Sequence, residues 1–432
     1  MRRRLFVPAL ALMTGVALTG CASVAPHDAA APSTTTKPPP KPTVPASDPA
    51  LLLATSDGTV SVRTTTGAVA FRAPNGVAAP DRSTIVQAEP MANGTRVVAS
   101  DPVTGEARWQ HDVAGARRVR VVSPGGRFVA LVDAALVTPG DERAATMIDV
   151  VTAKGAHAYR FPGALDPEAF STDGKWLYVL AFSNGPQAAR YSSTTIPRYS
   201  VRRVELATGH IEAVPDQDGR VRDPMPGYAQ SQLMSPDGTR LYTFYASSEP
   251  ITGDDGDEYH AWIHVLDLAH GWAHCLELDE AIAPDGGANA ALALNADGSR
   301  LYVSDRVSGA LVAIDTAKLR AIRTRFATDL PGLQSSALLA AAGSTLFANA
   351  TRGLVRIDAN TLEPEHGVIA PTEEVTGVRA DNAGHALFVL ATDGLFVLDG
   401  RGRRLARWGL PGDATSIAPP SMPGRGVYKC AC

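Results

Sequence analysis

The sequence predicts an all-β protein built as a single β-propeller, and three observations lead to this prediction. A turn followed by an apolar strand recurs along the chain from residue 51 to about residue 430. Each recurring unit contains two hairpins, which are enough for a four-stranded sheet. The strand after the first turn is apolar at consecutive positions, so both faces of each sheet are expected to be covered. Sheets arranged radially around a channel meet this requirement and protect the sheet edges.

The first hairpin of each unit has a glycine turn, followed by Leu at the third position after the glycine and an aromatic residue at the fourth. The segment "SPDGTRLY" at 235–242 shows the pattern, and "NADGSRLY" at 295–302 nearly repeats it. Asp-Gly supplies the positive φ that tight hairpins need. The pairs are Leu177/Tyr178, Leu241/Tyr242, Leu301/Tyr302, Leu346/Phe347 and Leu387/Phe388, with Val129/Ala130 as a weaker member. We expect these pairs to be buried.

The second hairpin of the unit occurs eight times, and its first strand ends near an acidic residue in most copies. A carboxylate in this place can accept hydrogen bonds from the backbone N–H groups of the turn that follows. We therefore expect a structural rather than a catalytic role. The positions are Asp101, Asp149, Asp267, Asp315, Asp358 and Asp399, with Arg63 and Glu205 in the corresponding place.

Eight second hairpins favour eight blades. The first unit, which begins at residue 51, has only three strands, so we expect the C-terminal segment from Ala414 to Cys432 to supply the missing strand and close the ring. The tail sequence "GRGVYKC", however, also carries the spacing of a first-hairpin strand at Gly424, Val427 and Tyr428. An eight-bladed ring has no place for this additional strand, so seven blades remain an alternative.

The units resemble the YVTN/WD40-like and PQQ-type repeat families. The resemblance lies in "SPDGTRLYTF", in "NADGSRLYVSDRVSGALVAIDTAKLRAI" and, near the start, in "DGTVSVRTTTGAVAF" and "TGEARW". It covers residues 51 to about 430 and implies a propeller. It implies no particular activity, because these repeats serve many functions. The Gly-His and Trp-Asp signatures of strict WD40 repeats are absent.

The first twenty residues form a separate unit. "MRRR" is followed by the apolar run "LFVPALALMTGVAL", and the run ends in "LTGC", whose cysteine is Cys21. This arrangement resembles the lipobox of bacterial lipoproteins, which implies cleavage before Cys21 and lipidation of its thiol. An ordinary secretory signal or a signal anchor is the alternative. We therefore expect a signal peptide at 1–20, a lipidated tether at 21–49 and the propeller at 50–432.

The tether and the overall charge limit the classes of partner. Residues 22–49 are rich in Pro, Thr, Ala and Ser and carry almost no large apolar residues, so they are expected to be disordered. The net charge is −4, and it becomes −7 when the leader takes its three arginines away. A duplex nucleic-acid surface usually shows a basic excess, so we expect no nucleic-acid partner.

The chain has four cysteines, at 21, 275, 430 and 432. A Cys430–Cys432 bridge is a candidate disulfide, although residues at i and i+2 of a straight strand are about 6.6 Å apart and a bend is needed. A bridge from Cys275 to the tail is the alternative. Cys275 belongs to the fifth unit, nearly across the ring from the unit that the tail would complete.

We expect no cofactor and no bound metal. His260, His264, His270, His274 and Cys275 are close in sequence, and a turn at "AHGW" would place His264 opposite Cys275, but no compact ligand pair stands out. The acidic stretch at 252–260 lacks the spacing of an EF-hand loop. The G-x-S-x-G and Walker patterns are absent as well.

The binding face is expected where the connections are long. Long segments occur at 133–146, 183–199, 214–229 and 247–260, all in the third to fifth units and all at the same end of the strands. Loops on a rigid scaffold commonly carry binding residues, and Tyr and Arg are favoured at binding hot spots. The candidate residues are Arg190, Tyr191, Arg198, Tyr199, Arg220, Arg222, Asp254, Asp255, Asp257 and Tyr259.

Together, these features predict a non-catalytic binding or scaffold module. It would be lipid-anchored to the cell membrane on the extracytoplasmic face. Its partners would be the membrane, through the anchor, and an envelope protein or a cell-wall component. The alternative is an envelope enzyme or small-ligand-binding protein, lactonase-like or quinoprotein-like, that uses the central channel.

Overall fold

The computed structural model describes residues 50–136, 143–182, 198–221, 224–253, 256–283, 289–326, 338–350, 353–369, 374–410 and 414–417. These residues form eight antiparallel sheets, each with four strands along its main path, and a single 3₁₀ turn at Pro124–Gly126. Eight blades are therefore present, and the seven-blade alternative is wrong. We number the blades 1 to 8 in chain order.

The strands of each blade follow one another along the chain, except that the innermost strand of blade 1 comes from the C-terminal region. Blades 1 and 2 contain β1 (Ala50–Thr55), β2 (Gly58–Arg63), β3 (Val69–Pro74), β4 (Val77–Ala78), β5 (Ile85–Met91), β6 (Gly94–Ser100) and β7 (Ala107–Ala114). Blades 3 and 4 contain β8 (Arg117–Val122), β9 (Val129–Asp133), β10 (Ala145–Thr152), β11 (Gly155–Pro162), β12 (Ala164–Phe170), β13 (Trp176–Phe182), β14 (Arg198–Glu205), β15 (Ile211–Ala213) and β16 (Met225–Pro226).

Blades 5 and 6 contain β17 (Tyr228–Met234), β18 (Arg240–Thr252), β19 (Glu258–Asp267), β20 (Trp272–Glu277), β21 (Ala290–Leu294), β22 (Arg300–Asp305), β23 (Ala310–Asp315) and β24 (Arg320–Phe326). Blades 7 and 8 and the closing strand are β25 (Leu339–Ala342), β26 (Thr345–Asn349), β27 (Leu354–Asp358), β28 (Pro364–Ile369), β29 (Val375–Ala380), β30 (Ala386–Ala391), β31 (Gly394–Asp399), β32 (Arg404–Trp408) and β33 (Ser416–Ile417).

The repeated Leu-aromatic pairs hold neighbouring blades together. All ten residues of the five strong pairs are at most 4% exposed. In blade 5, Leu241 packs in a cluster with Tyr178 of blade 4, whereas Tyr242 packs in a cluster with Leu301 of blade 6. Consecutive side chains of a strand point to opposite faces, so one pair serves both interfaces of its blade. The expectation that both sheet faces are covered is confirmed.

The glycines of these turns are required by the backbone. Gly238 and Gly298 have φ values of 70° and 72°, in the left-handed region that other residues rarely adopt. A Cβ on Gly298 would also lie 3.0 Å from Pro236 Cδ in the preceding blade. The first turn of blade 6 is therefore packed against blade 5 and leaves no room for a side chain at Gly298.

The ring is closed by the C-terminal region, as expected. Strand β33 pairs with β1 through Leu53–Ile417 and Ala54–Ser416, and the Thr415 N–H donates to the Ala54 carbonyl at 2.9 Å. Ile417 is 9% exposed and packs in a cluster with residues of blades 1 and 8. The tail segment at 424–428 lies outside the described residues.

Candidate functional site

The long connections lie on one face of the ring, which we call the link face. It carries the connections between the second and third strands of each blade, counted from the channel, and the links between blades. The connections between the second and third strands are short at 56–57, 92–93, 306–309, 350–353 and 392–393. They are long at 134–144 and 183–197, and blade 5 extends its strands instead. Long connections of this type are thus restricted to blades 3 to 5, as the sequence predicted. The links from blade 5 to blade 6, at 278–289, and from blade 6 to blade 7, at 327–338, are also long, and they were not among the predicted segments.

Blade 5 presents a β-hairpin arm, which we define as residues 251–259, rather than the loop that we expected at 247–260. Strands β18 and β19 continue past a bulge between Ala246 and Ile251, and they pair again at Ile251–Tyr259 and Thr252–Glu258. The Gly253 N–H donates to the Asp257 carbonyl at 2.9 Å across the tip. The backbone on the two sides of the tip is therefore paired, at 251–253 and 257–259.

An aromatic cluster between blades 4 and 5 supports the base of this arm. Tyr199 stacks on Tyr245 with 5.0 Å between ring centroids, and Tyr245 stacks on Trp262 at 6.0 Å. Ile251, at the start of the arm, packs against the same cluster. Tyr199 is 1% exposed, so its expected place at the surface is wrong. Its phenol lies in the interior, where burial raises its pKa well above the usual value.

Of the other nine candidate binding residues, the structure describes four. Arg190, Tyr191, Arg222, Asp254 and Asp255 lie outside the described residues. Of the remaining four, Arg220 and Asp257 are exposed and Tyr259 is partly buried. Arg198 forms an ion pair with Glu249, which connects β14 of blade 4 to the arm of blade 5. Since both side chains are more than 40% exposed, this pair contributes little stability. The binding role of the whole set stays a prediction.

The segment between β15 and β17 completes this part of the link face. Strand β16 pairs with the start of β14, so the outer edge of blade 4 is split in two. The Asp216 carboxylate accepts hydrogen bonds from the N–H groups of Asp218 and Arg220, at 2.9 and 2.8 Å. The Ala273 N–H of blade 5 donates to the Pro215 carbonyl at 2.9 Å. The segment is thereby held against the outer edges of both blades.

The innermost strands of blades 3 to 5 place polar side chains around the channel. Arg120 on β8 and Asp166 on β12 form a bidentate ion pair, with 2.7 Å between Arg120 Nε and Asp166 Oδ1. Both side chains are almost fully buried, at 3% and 7% exposed. The charge of each is thus compensated within the protein, as burial of a charge requires.

Glu168 lies two residues beyond Asp166, at a bulge of β12. Burial, and after it the negative charge of Asp166, raise its pKa from the ordinary value of 4.5 to about 8, and Arg120 opposes the shift. At pH 7 the carboxyl is therefore mainly protonated. The Gln232 amide of blade 5 donates to Glu168 Oε1 at 3.4 Å, whereas Oε2 has no hydrogen-bond partner among the described residues.

The cavity beside Glu168 is small. It measures about 10 Å³ and is lined by Glu168, Gln232, Phe170 and Pro124, among others. A single water needs about 10–15 Å³, whereas pockets for small molecules usually measure about 300–1,000 Å³. This cavity can hold about one water, which would satisfy Oε2, but it cannot hold a substrate.

Five of the six aspartates at the ends of second-hairpin strands accept hydrogen bonds from backbone N–H groups of the turn that follows. Asp101, for example, accepts from the N–H groups of Val103 and Thr104. The same two-bond pattern occurs at Asp267, Asp315, Asp358 and Asp399. Asp149 differs, because β10 continues to Thr152 and the Asp149 carboxylate instead pairs with Arg117. The turn role predicted for Asp149 is wrong.

The four histidines of blade 5 lie on β19, on the turn that follows it and on β20. His264 lies opposite Cys275 in the β19–β20 register, as the sequence suggested. His270 is exposed on the turn, and the His260 Nδ1 lies 2.9 Å from the Ser247 carbonyl oxygen. In the part of the chain that the structure describes, no group of three or more His, Cys, Asp or Glu residues is arranged to hold a metal.

The cysteines are only partly accessible to structural analysis. Cys275 is buried. Cys21, Cys430 and Cys432 lie outside the described residues, so the lipidation site and both candidate bridges stay predictions. Within the described ranges, no helix is long and apolar enough to cross a membrane.

Comparison with a solved structure supports the fold. No protein-family model matches the chain, and no curated protein matches it in sequence. The structure of apo AztD from Citrobacter koseri is similar, with a TM-score of 0.52 and 12% identity, over 86% of this chain and 97% of that chain. BamB from Moraxella catarrhalis matches with a TM-score of 0.43 and 16% identity, over 76% of this chain and 89% of that chain. At such identities a likeness concerns the fold alone, and the chain is an eight-bladed β-propeller.

Proposed function

We propose that this protein is a lipid-anchored, extracytoplasmic β-propeller that serves as a non-catalytic binding module in the cell envelope. The observation that carries the binding role is the restriction of long second-to-third-strand connections to blades 3, 4 and 5 on the link face. Loops lengthen at little cost anywhere on a scaffold, so their concentration in one sector of one face favours a shared purpose.

The arm of blade 5 supports the proposal because it is a paired hairpin seated on a buried aromatic base. An element held in one conformation loses less entropy on binding than a free loop does. Tyr259 and Asp257 lie on this arm, and Arg220 lies on the neighbouring segment. The expected occupant is an envelope protein or a cell-wall component that contacts a mixed surface of aromatic and charged groups.

The buried carboxyl groups on the innermost strand of blade 4 support a non-catalytic role in the same sector. Asp166 is engaged by Arg120, and the space beside Glu168 holds about one water. The alternative of an enzyme or a small-ligand-binding protein would need a larger cavity at these carboxyl groups. The YVTN and PQQ-type resemblance of the repeats does not by itself supply a ligand.

The envelope location is proposed from the "LTGC" motif after an arginine-led apolar run. Two acyl chains anchor a protein stably where one chain is marginal. In a bacterial host, Cys21→Ser should prevent lipid attachment, so the protein should accumulate as unprocessed precursor or leave the membrane fraction. Metabolic labelling with a clickable fatty acid, followed by membrane fractionation, measures both effects. A Cys21→Ser protein that still takes up the label and matures normally would contradict the assignment.

The binding role is tested by removing the arm. Replacement of residues 252–258 by a short Gly-Ser link keeps Ile251, which packs on the aromatic base, and should change the melting temperature by no more than about 2 °C. The shortened protein should lose a partner that wild type recovers by crosslinking and pull-down from host membranes.

A matched control makes the arm experiment specific. The same replacement at 401–403, an exposed turn of blade 8 on the opposite face, should keep every partner. If the protein with the shortened arm also recovers every wild-type partner, the arm has no share in binding.

A further inference from the structure

His264 is a buried histidine whose ring packs edge-on against Tyr245, with 6.2 Å between the ring centroids, and whose polar atoms are unsatisfied. It lies in the middle of β19, it is 1% exposed, and neither ring nitrogen has a hydrogen-bond partner among the described residues. Burial, and then the nearby His274, lower its pKa to about 4, so the ring is neutral at pH 7. A buried polar group without a partner is costly, and an unseen water or ion commonly explains it.

Two sulfur atoms, those of Cys275 and Met225, lie on the side of the sheet that carries the His264 side chain. Cys275 is directly opposite His264 in the antiparallel register, which places both side chains on one face, with Cβ atoms about 4.5–5.5 Å apart. The Cys275 thiol lies against the Met225 thioether, with 3.0 Å between Sγ and Sδ. Met225 belongs to β16 of blade 4, so the two sulfurs meet across the interface between blades 4 and 5.

These three side chains line one cavity of about 110 Å³. The space is large enough for a metal ion with one or two waters and too small for most organic ligands. Six of the remaining ten lining residues are apolar, including Val201 and Val214, and the polar ones are Ser200, Arg202, Asp216 and His274. The Asp216 carboxylate already accepts two backbone hydrogen bonds, and His274 is adjacent to Cys275 on β20, so its side chain starts toward the opposite face. Val221, also in the lining, is 62% exposed, so the cavity reaches the outer edge of the ring and has an entry path.

The donor set determines which metal fits. A thiolate, a thioether and an imidazole are soft or borderline ligands, and Cys with Met selects Cu(I). Zinc takes Cys, His and carboxylate ligands, usually four of them, and a thioether does not belong to that set. A thiolate with a monovalent cation is neutral overall, so this pair avoids the cost of an uncompensated buried charge.

We propose that His264, Cys275 and Met225 form a Cu(I) site between blades 4 and 5. On binding, the Cys275 thiol releases its proton to solvent, and the thiolate sulfur, the Met225 sulfur and one His264 nitrogen coordinate the ion. No electron is transferred in this step. The ion would connect β16 to β20 and thereby fix the 214–227 segment on the link face. The site is independent of the proposed function, since copper binding does not require a protein partner.

The test uses the full chain with Cys21→Ser, Cys430→Ser and Cys432→Ser, which leaves Cys275 as the single thiol among the four cysteines. Anaerobic titration with Cu(I) against a chromophoric Cu(I) chelator should give one ion per chain. Cys275→Ser, Met225→Leu and His264→Gln should each weaken binding at least tenfold. His270→Gln, on the exposed turn of the same hairpin, should leave it unchanged.

Two further measurements keep the result interpretable. The melting temperature of each metal-free variant identifies any that does not fold, and Met225→Leu conserves volume, so this variant should remain folded. X-ray absorption at the copper edge should show both sulfur and nitrogen ligands. No retained copper, retention unaffected by both Cys275→Ser and Met225→Leu, or tighter binding of Zn(II) than of Cu(I) would overturn the proposal.

Discussion

Deletion of residues 414–432 is expected to lower the melting temperature by about 5–10 °C or to cause aggregation, because it removes β33. Without this strand, β1 of blade 1 exposes an unpaired edge toward the channel. Ile417 also leaves its buried place beside blade 8, where a Cβ on Gly377 would lie 2.7 Å from the Ile417 nitrogen. Differential scanning calorimetry and light scattering measure the two outcomes.

The matched control is deletion of residues 418–432, which leaves β33 in place. We expect this shorter deletion to behave like wild type in both measurements. Equal melting curves for wild type and the 414–432 deletion would mean that the closing strand adds nothing to stability. Equal losses for the two deletions would instead place the effect in the last fifteen residues.

Replacement of Asp166 by Ala is expected to destabilise the protein by about 3–5 kcal/mol, because Arg120 would remain buried without its carboxylate. Removal of both charges, in Arg120→Met/Asp166→Leu, should restore most of the stability, since two apolar groups need no ionic partner. Urea unfolding monitored by tryptophan fluorescence measures these differences.

An exposed pair in blade 2 provides the comparison. Arg96 Nε lies 2.8 Å from Asp112 Oδ1, but the two side chains are 40% and 50% exposed, so Asp112→Ala should leave the free energy of unfolding almost unchanged. In Asp166→Ala the carboxylate that raises the pKa of Glu168 is gone and Arg120 still lowers it, so Glu168 should ionise more readily beside Arg120. The double variant Asp166→Ala/Glu168→Gln should therefore be less stable than Asp166→Ala alone. A loss at Asp166 as small as that at Asp112 would show that water reaches the Arg120 guanidinium in the folded protein.

Local pattern was sufficient to predict the architecture, because the period of a strand and the demands of a turn act over a few residues. The Gly turns and the Leu-aromatic pairs identified the blades, and the three strands of the first unit identified the need for closure by the tail. The turn role of five aspartates followed in the same way. At Asp149 the prediction failed, because β10 runs three residues further than its sequence suggests.

The binding surface was predictable only in outline. Long connections can be counted in a sequence, and their side follows from antiparallel alternation. The long connections between second and third strands were therefore identified in blades 3 to 5, whereas the long links at 278–289 and 327–338 were missed. Whether such a segment is a loop or a paired arm depends on contacts across the hairpin, and the arm of blade 5 was therefore taken for a loop. Tyr199 was placed at the surface, because its aromatic neighbours come from another blade.

By itself, the sequence determined that this protein is a closed ring of four-stranded blades with its long connections on one face. The tertiary structure alone decided which side chains meet across blade interfaces. Met225 and Cys275 are 50 residues apart, and Arg120 and Asp166 are 46 apart. Their contacts depend on how blades rotate and pack around the axis, and no local pattern encodes that geometry.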